Sequence, residues 1–540
     1  MKTKKVLHQI MACCLVLAVV LSMSLTGFAL PGVYNEKGNI TVNGINDTTT
    51  VSAYQVITVD VDQSSGQPKS PMYYWVEEVA NWLKGNETYK AYINDEDNSV
   101  TETFKQGADE AFKSFWHDLA AAIKGEDISL TPTNVKAGKD ATSVTFAGME
   151  MGQYLLTANG GVKIYQPTTA EVIPAWDEDN SEWILNDATV RVKGEAPTID
   201  KDVETGDDNT VAIGDTVTYK LTVDVPSYPE DATALKFEIG DTLSQGLTLN
   251  TSSIKVYSSL DPKTEIPNDS NVAYTLTSEG NTFKIAFTEN FLTTTNLTKV
   301  YVTYDAIVNE NAFATDALGN EAFLGYNNDP YDDSSSQTDG TDKDIYTYGI
   351  TVTKIDEETQ ETLSGAEFRL YSDVSCSEES EVKMVSTGAN GVYRHATEGE
   401  SGAVLAVDGN GKLQLQGLDL GTYYLKETKA PGGYTLPKNP MTTIVIGDTE
   451  DNTSSGKAPD GTLDGCSLSG PNVVDVKDAD DFKIEKNILS FSIWNTNDAG
   501  FELPTTGGMG TVIFTVVGLT LMGGAIVLVV LAAKKKKVQN

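Results

Sequence analysis

Histidine and cysteine are almost missing from this sequence. Three His and four Cys occur in 540 residues, and His8, Cys13 and Cys14 lie in an N-terminal stretch that reads as a removable leader. His117 and His395 then stand alone, and only Cys376 and Cys466 remain of the thiols. Nothing is left from which to assemble a metal centre or a histidine-based triad, and no phosphate-cradling glycine loop is present. The expectation is a protein with no metal, no cofactor and no conventional enzyme site, in which any catalysis is a single turnover on the chain itself. Basic residues are scarce too: 39 Lys and Arg face 77 Asp and Glu, a formal net charge of −38. Such a surface repels nucleic acid and suits a soluble, exposed protein that resists nonspecific association.

The two termini carry what hydrophobic runs there are. Lys2, Lys4 and Lys5 precede an apolar run from Ile10 to Leu25, followed by the small residues Gly27 and Ala29. This is the pattern of a secretory signal peptide, residues 1–29, cut after Ala29. Thr511 to Ala533 is apolar over a spanning length and is closed by Lys534 to Lys537. A span followed by lysines predicts a transmembrane helix with the bulk of the chain outside the cell. In that oxidising compartment the even pair Cys376 and Cys466 predicts a disulfide.

Between the ends the pattern is mainly β. Val217, Tyr219, Leu221, Val223 and Val225 alternate with polar residues, the period-2 signature of a half-buried strand. Turn clusters rich in Gly, Asp, Asn and Ser recur between such runs, as in tandem immunoglobulin-like β-sandwich domains. Trp75–Leu83 and Glu110–Ile123 read as helical insertions in the first domain. Breaks at Lys193–Pro197 and in the acidic, Ser- and Gly-rich stretch Asp329–Asp344 divide the mature chain into residues 30–195, 196–344 and 345–498. Asp329–Asp344 lacks regular Ca²⁺-ligand spacing and reads as a solvated loop.

Leu503-Pro504-Thr505-Thr506-Gly507 stands just before the span and the basic tail, completing a segment over 499–540. This arrangement resembles the LPXTG cell-wall sorting signal of Gram-positive surface proteins. The resemblance implies that a sortase cleaves between Thr506 and Gly507 and passes Thr506 to an amine.

Tyr423-Tyr-Leu-Lys-Glu427-Thr-Lys-Ala-Pro-Gly-Gly-Tyr434 resembles the E-box of collagen-adhesin B-type domains in sortase-assembled major pilins. In that family the Glu promotes an isopeptide bond between a Lys of the first strand and an Asn of the last. The matching positions are Glu427, Lys354 in Ile350-Thr-Val-Thr-Lys354, and Asn495 in Phe491-Ser-Ile-Trp-Asn495. Side-chain alternation supports the match independently. Ile350, Val352 and Lys354 share a strand face, as do Tyr423, Leu425 and Glu427, and Phe491, Ile493 and Asn495. Each polar residue thus points into a core with its apolar neighbours. Burial there favours a neutral amine, which is a nucleophile, and a protonated carboxyl, which can move protons.

The second domain repeats the pattern. Ile199, Lys201 and Val203 share a face, as do Leu235, Phe237, Ile239 and Asp241, and Ala322, Leu324, Tyr326 and Asn328. The run Phe237–Leu247 resembles the pilin middle-domain segment whose Asp is the catalytic acid, which implies Lys201, Asp241 and Asn328 as the bond-forming set. Parity favours Asn328 over Asn327.

Trp183 followed by Val190, Val192 and Lys193 resembles the pilin motif whose lysine receives the Thr of the next subunit, although its Tyr-Pro is absent here. Val190 and Val192 face inward and Lys193 outward; Lys163, in Val162-Lys-Ile-Tyr-Gln-Pro167, also faces outward and is the rival acceptor. Together the resemblances imply a pilus backbone subunit. Its partners would be a sortase, identical subunits, accessory pilins, peptidoglycan and a host surface ligand. The alternatives are a monomeric wall-anchored adhesin and an accessory pilin of tip or base.

Overall fold

The computed structural model describes residues 32–204, 209–230, 232–314, 318–448, 459–473, 483–485 and 487–497. The signal peptide, the sortase motif Leu503–Gly507 and the span Thr511–Ala533 lie outside the described residues. Among the described residues no helix is long and apolar enough to cross a membrane, and no three His, Cys, Asp or Glu cluster as metal ligands would. The chain divides into two compact units, residues 1–346 and 347–540.

The first unit contains two sets of sheets. In the earlier set, strands Pro68–Trp75, Thr50–Val61, Gly152–Asn159 and Thr168–Val172 pair in that order. Thr133–Lys136 adds to Thr50–Val61, and a three-stranded sheet runs Ala188–Arg191, Gly38–Asn43, Ser143–Met149. Ile40, Val42, Val51, Phe146, Leu156 and Val172 fill one core from both sheets. The helical insertions are Glu77–Gly85, Glu102–Gln106 and Phe112–Lys124. Trp75, expected to begin a helix, instead ends a strand. The unanticipated short helix Glu102–Gln106 starts at Thr101, whose hydroxyl accepts from the Phe104 N–H, and stops at Gly107, held at φ 56°. Its Phe104 packs edge-on against Trp75 and Phe115, so an aromatic cluster anchors all three helices to the sheet.

The later set is a two-sheet sandwich. One sheet orders Ile199–Val203, Thr216–Asp224, Lys299–Val308, Leu247–Leu260 and Lys263–Glu265. The other orders Tyr274–Glu279, Thr282–Phe287, Phe237–Leu243, Asn320–Asn327 and Ser336–Asp342. Val217, Tyr219, Leu221 and Val223 meet Ile239, Ile285, Leu324 and Tyr326 in a common core. Here the structure corrects the reading of Asp329–Asp344 as a solvated loop. Ser336–Asp342 pairs with residues 321–327 of the strand Asn320–Asn327 as an edge strand. An open sheet edge offers backbone partners to any chain that follows it. This strand makes only that use of the edge, so its side chains stay largely exposed and polar. Asp329 is itself buried, taking hydrogen bonds from Lys124 at 3.2 Å and Asn159 at 2.7 Å, which tie the two sets of sheets together.

The second unit is again two sheets. The larger orders Met384–Ser386, Val392–His395, Lys412–Leu418, Tyr348–Asp356, Ile488–Asn495 and Lys483–Glu485. The smaller orders Leu405–Ala406, Glu367–Tyr371, Gly421–Lys429, Met441–Ile446 and Ser467–Ser469. The first and last strands of the unit's larger sheet, Tyr348–Asp356 and Ile488–Asn495, are parallel neighbours, a pairing only a long connection can make.

The expected disulfide is not formed: Cys376 and Cys466 are both free thiols. Cys376 lies against Met441 Sδ at 3.6 Å and Cys466 against the Gly447 carbonyl at 3.7 Å. Met441 and Gly447 bracket one strand, so about 20 Å separates the two contacts at the usual rise per residue. A disulfide needs Cα atoms within about 7 Å. Even parity of cysteine number carries no information about that distance. The mature chain, unfolded without reductant, should therefore take up two equivalents of a maleimide, counted by intact mass; uptake of none would restore the disulfide.

Candidate functional site

Strand alternation delivers three polar side chains into the core of the second unit. Lys354 and Asn495 come from the parallel first and last strands, and Glu427 comes from the opposite sheet, where its register partner is Phe368. All three are buried, Lys354 and Asn495 completely. One carboxylate joins the other two: Lys354 Nζ donates to Glu427 Oε2 at 3.1 Å, and Asn495 Nδ2 donates to Glu427 Oε1 at 3.1 Å. Asn495 Nδ2 also donates to the Thr435 carbonyl at 3.0 Å, while its Oδ1 makes no hydrogen bond. The Phe368 ring lies 5.8 Å from the ammonium.

Burial dominates the electrostatics. It lowers the Lys354 ammonium to about 8, outweighing the attraction of Glu427, and raises the Glu427 carboxyl above its ordinary value despite Lys354. Both shifts favour the neutral amine and the neutral acid. A pair poised in this way can exchange a proton, and it exposes a nucleophilic nitrogen to a carboxamide held on the far side of the same carboxyl.

The first unit holds a second such cluster. Lys201 Nζ donates to Asp241 Oδ2 at 2.9 Å and Oδ1 at 3.1 Å, and neither side chain touches solvent. Burial lowers Lys201 to about 8 and raises the Asp241 carboxyl against the pull of Lys201 and Tyr304. The structure does not bring Asn328 here. Asn328 Nδ2 donates to the Gly161 carbonyl at 2.7 Å, and its Oδ1 takes the Ser335 hydroxyl. The residue present is Asn320: its backbone carbonyl accepts from Lys201 Nζ at 2.7 Å, and its side-chain Nδ2 donates to the Tyr304 hydroxyl at 2.9 Å. Tyr304 in turn donates to Asp241 Oδ2 at 2.5 Å.

Register explains the difference. Asp241 stands opposite Ala322, so Asn320 is close by along the strand and Asn328 lies about 20 Å away at its other end. Parity separates Asn328 from Asn327 but gives Asn320 and Asn328 the same face, so it carries no information on which of these two meets Asp241. Tyr304 was also missed. It follows Val300 and Val302 on an inward face and reads as ordinary core, and nothing in its local sequence marks it as a relay.

Lys193 is exposed, between the half-buried strand Ala188–Arg191 and buried Val192 on one side and Gly194, paired with Tyr165, on the other. Its carbonyl is held by the Gln166 N–H at 2.9 Å. Lys163, the rival, is half-buried with its Nζ donating to the Gly44 carbonyl at 3.3 Å. Of the two amines, Lys193 is the more open to a bulky acyl donor.

Comparison with known proteins agrees with this architecture. Residues 348–458 match the prealbumin-like fold domain of the SpaA family, and residues 495–540 match the LPXTG cell wall anchor motif. The chain is 27% identical over 419 residues to the trypsin-resistant surface T6 protein of Streptococcus pyogenes serotype M6, covering 66% of this chain and 72% of that one. It is 26% identical over 472 residues to the fimbrial subunit type 1 of Actinomyces viscosus, covering 76% and 80%. In fold it is similar to the three-domain T6 backbone pilin of S. pyogenes, with a TM-score of 0.56 at 17% identity over 88% of this chain and all of that one. These likenesses support a backbone pilin of sortase-assembled Gram-positive pili, and the anchor motif supports a place at the cell wall.

Proposed function

We propose that this pilin is polymerised by a sortase from Thr506 of one copy to Lys193 of the next. We further propose that each copy is stiffened by two self-made isopeptide bonds, Lys354–Asn495 and Lys201–Asn320. The observation that carries the second part is the buried Lys354–Glu427–Asn495 cluster, in which a single carboxyl touches both the amine and the carboxamide. Glu427 Oε2 takes a proton from Lys354, and the freed amine adds to Asn495 Cγ. Glu427 Oε1 protonates Nδ2 as the Cγ–Nδ2 bond breaks, and the second Nζ proton passes to Glu427. Ammonia leaves, and an amide joins Nζ to Cγ. In the first unit Asp241 would take the proton from Lys201 and return it through Tyr304 to Asn320 Nδ2. The two bonds would act differently: Lys354–Asn495 joins neighbouring strands of one sheet, while Lys201–Asn320 joins the two faces of a sandwich. Accessory pilins, peptidoglycan and a host ligand are the further partners of this reading, the wall taking Thr506 of the last subunit.

Each condensation removes one ammonia, about 17 Da. The folded ectodomain should weigh about 34 Da less than its sequence, Asn320→Ala should restore about 17 Da, and Asn328→Ala should restore nothing. A full sequence mass in the unaltered protein would end the proposal, and a loss that survives Asn320→Ala would return the acceptor to another asparagine.

Glu427→Gln keeps the shape and hydrogen-bonding capacity of the site but cannot shuttle a proton. It should restore about 17 Da and, by freeing a loop of more than 100 residues, lower the melting point of the second unit by on the order of 10 °C. If mass and melting point are unchanged, Glu427 is structural only.

Lys193→Arg retains charge but not a reactive amine. It should abolish the high-molecular-weight ladder in cell-wall extracts while leaving anchored monomer, and Lys163→Arg should leave the ladder intact. The reverse pattern would make Lys163 the acceptor, and no ladder from unaltered chain with its own sortase would make the protein a monomeric adhesin.

A further inference from the structure

Strands Pro174–Asp177 and Glu182–Leu185 form a ribbon of two strands that, among the described residues, no third strand joins. Such a ribbon is marginal in water unless a face is covered. Here Trp176 is 40% exposed and Trp183, directly across the ribbon, is half-buried. The two indoles meet edge to face with centroids 5.6 Å apart. Open tryptophans on a free ribbon have the character of an interface anchor. Residues 174–185 also carry Asp177, Glu178, Asp179 and Glu182 and no basic side chain.

The reach of the chain points to an occupant. The second unit is described as far as Asn497, nine residues before Thr506, and nine residues span at most about 30 Å. A bond from Thr506 to Lys193 of the next copy therefore holds the exit end of one second unit within about 30 Å of that lysine. Leu185, at the base of the ribbon, is eight residues from Lys193, about 26 Å at strand rise. The surface at the exit end is the segment 428–440, which is tied to it by the Tyr434–Asn497 bridge and the Thr435 N–H to Thr496 carbonyl bond at 3.1 Å. In a chain with about twice as many acids as bases, this segment has no carboxylate and two lysines, Lys438 and Lys429, the latter paired with Glu367 at 2.6 Å. Leu436 within it is 41% exposed.

We propose that the 428–440 segment of one copy docks on the Trp176–Trp183 ribbon of the next, apolar against aromatic and basic against acidic. The proposal rests on the Thr506–Lys193 linkage above, because the tether supplies the effective concentration, in the millimolar range for a short connection, that a small contact needs. Docking would convert a flexible bead-to-bead joint into a fixed one, and it would set the rotation of each subunit on its neighbour.

The test is a photo-cross-link in sortase-assembled fibre. Full-length chain carrying Trp176→p-benzoylphenylalanine is polymerised and irradiated. Its peptides are then mapped by mass spectrometry, together with the Thr506–Lys193 junction peptide. Cross-links from position 176 to residues 428–440 of a neighbour are expected in polymer and not in monomer. Lys438→Glu should cut their yield several-fold, and Lys438→Glu combined with Glu178→Lys should restore it. If the junction peptide is present and position 176 links elsewhere or nowhere, or if the yield ignores Lys438→Glu, the docking proposal falls while the linkage stands. If polymer lacks the junction peptide, the linkage falls and docking falls with it.

Discussion

A lysine ammonium held in a β-sandwich core beside a carboxyl is the constraint on which the rest of this structure depends. Isolated, either charge would be expelled by its desolvation cost, which exceeds what an ordinary ion pair returns. At both Lys354 and Lys201 the burial is complete, so the pair persists only because the surrounding strands leave it no route to water. That enforced burial is also what drives the lysines down toward neutrality. The same physics that makes the site costly as an ion pair favours the neutral amine and neutral acid that the proposed condensation needs.

Topology decides what such a bond could do mechanically. In the second unit Lys354 and Asn495 lie on the first and last strands, and these are parallel neighbours in one sheet. Tension entering at one end and leaving at the other would pass through that pair rather than through the sandwich between them. A bond in the first unit would instead cross between two sheets, with Asn320 at the start of its strand rather than the end. The tie between Asp329, Lys124 and Asn159 adds a polar joint between the two sets of sheets in that unit. It differs from the two buried lysine–carboxyl clusters in one respect: Lys124 is 21% exposed, so its ammonium reaches water.

Much of this was legible in the amino-acid order. Alternation alone put Lys354, Glu427, Asn495, Lys201 and Asp241 on inward faces, and all five are buried. The LPTTG segment marked the cell-wall anchor with no reference to the fold. These features are local: a period of two residues or a run of apolar side chains needs no distant partner to be read.

The failures are all questions of distance between remote segments. Parity could not separate Asn320 from Asn328, because the choice depends on where one strand slides along another, and that is fixed by core packing across the whole sandwich. It could not foresee Tyr304 as the link between Asp241 and Asn320, since an inward tyrosine looks the same whether or not a carboxylate waits above it. Counting cysteines could not show that Cys376 and Cys466 sit near opposite ends of a strand. Composition made a loop of Asp329–Asp344, although part of it pairs as an edge strand through its backbone alone. Which side chains face inward is written residue by residue. Which of them meet is decided only when the sheets close, because register and sheet pairing are collective outcomes of burying one core.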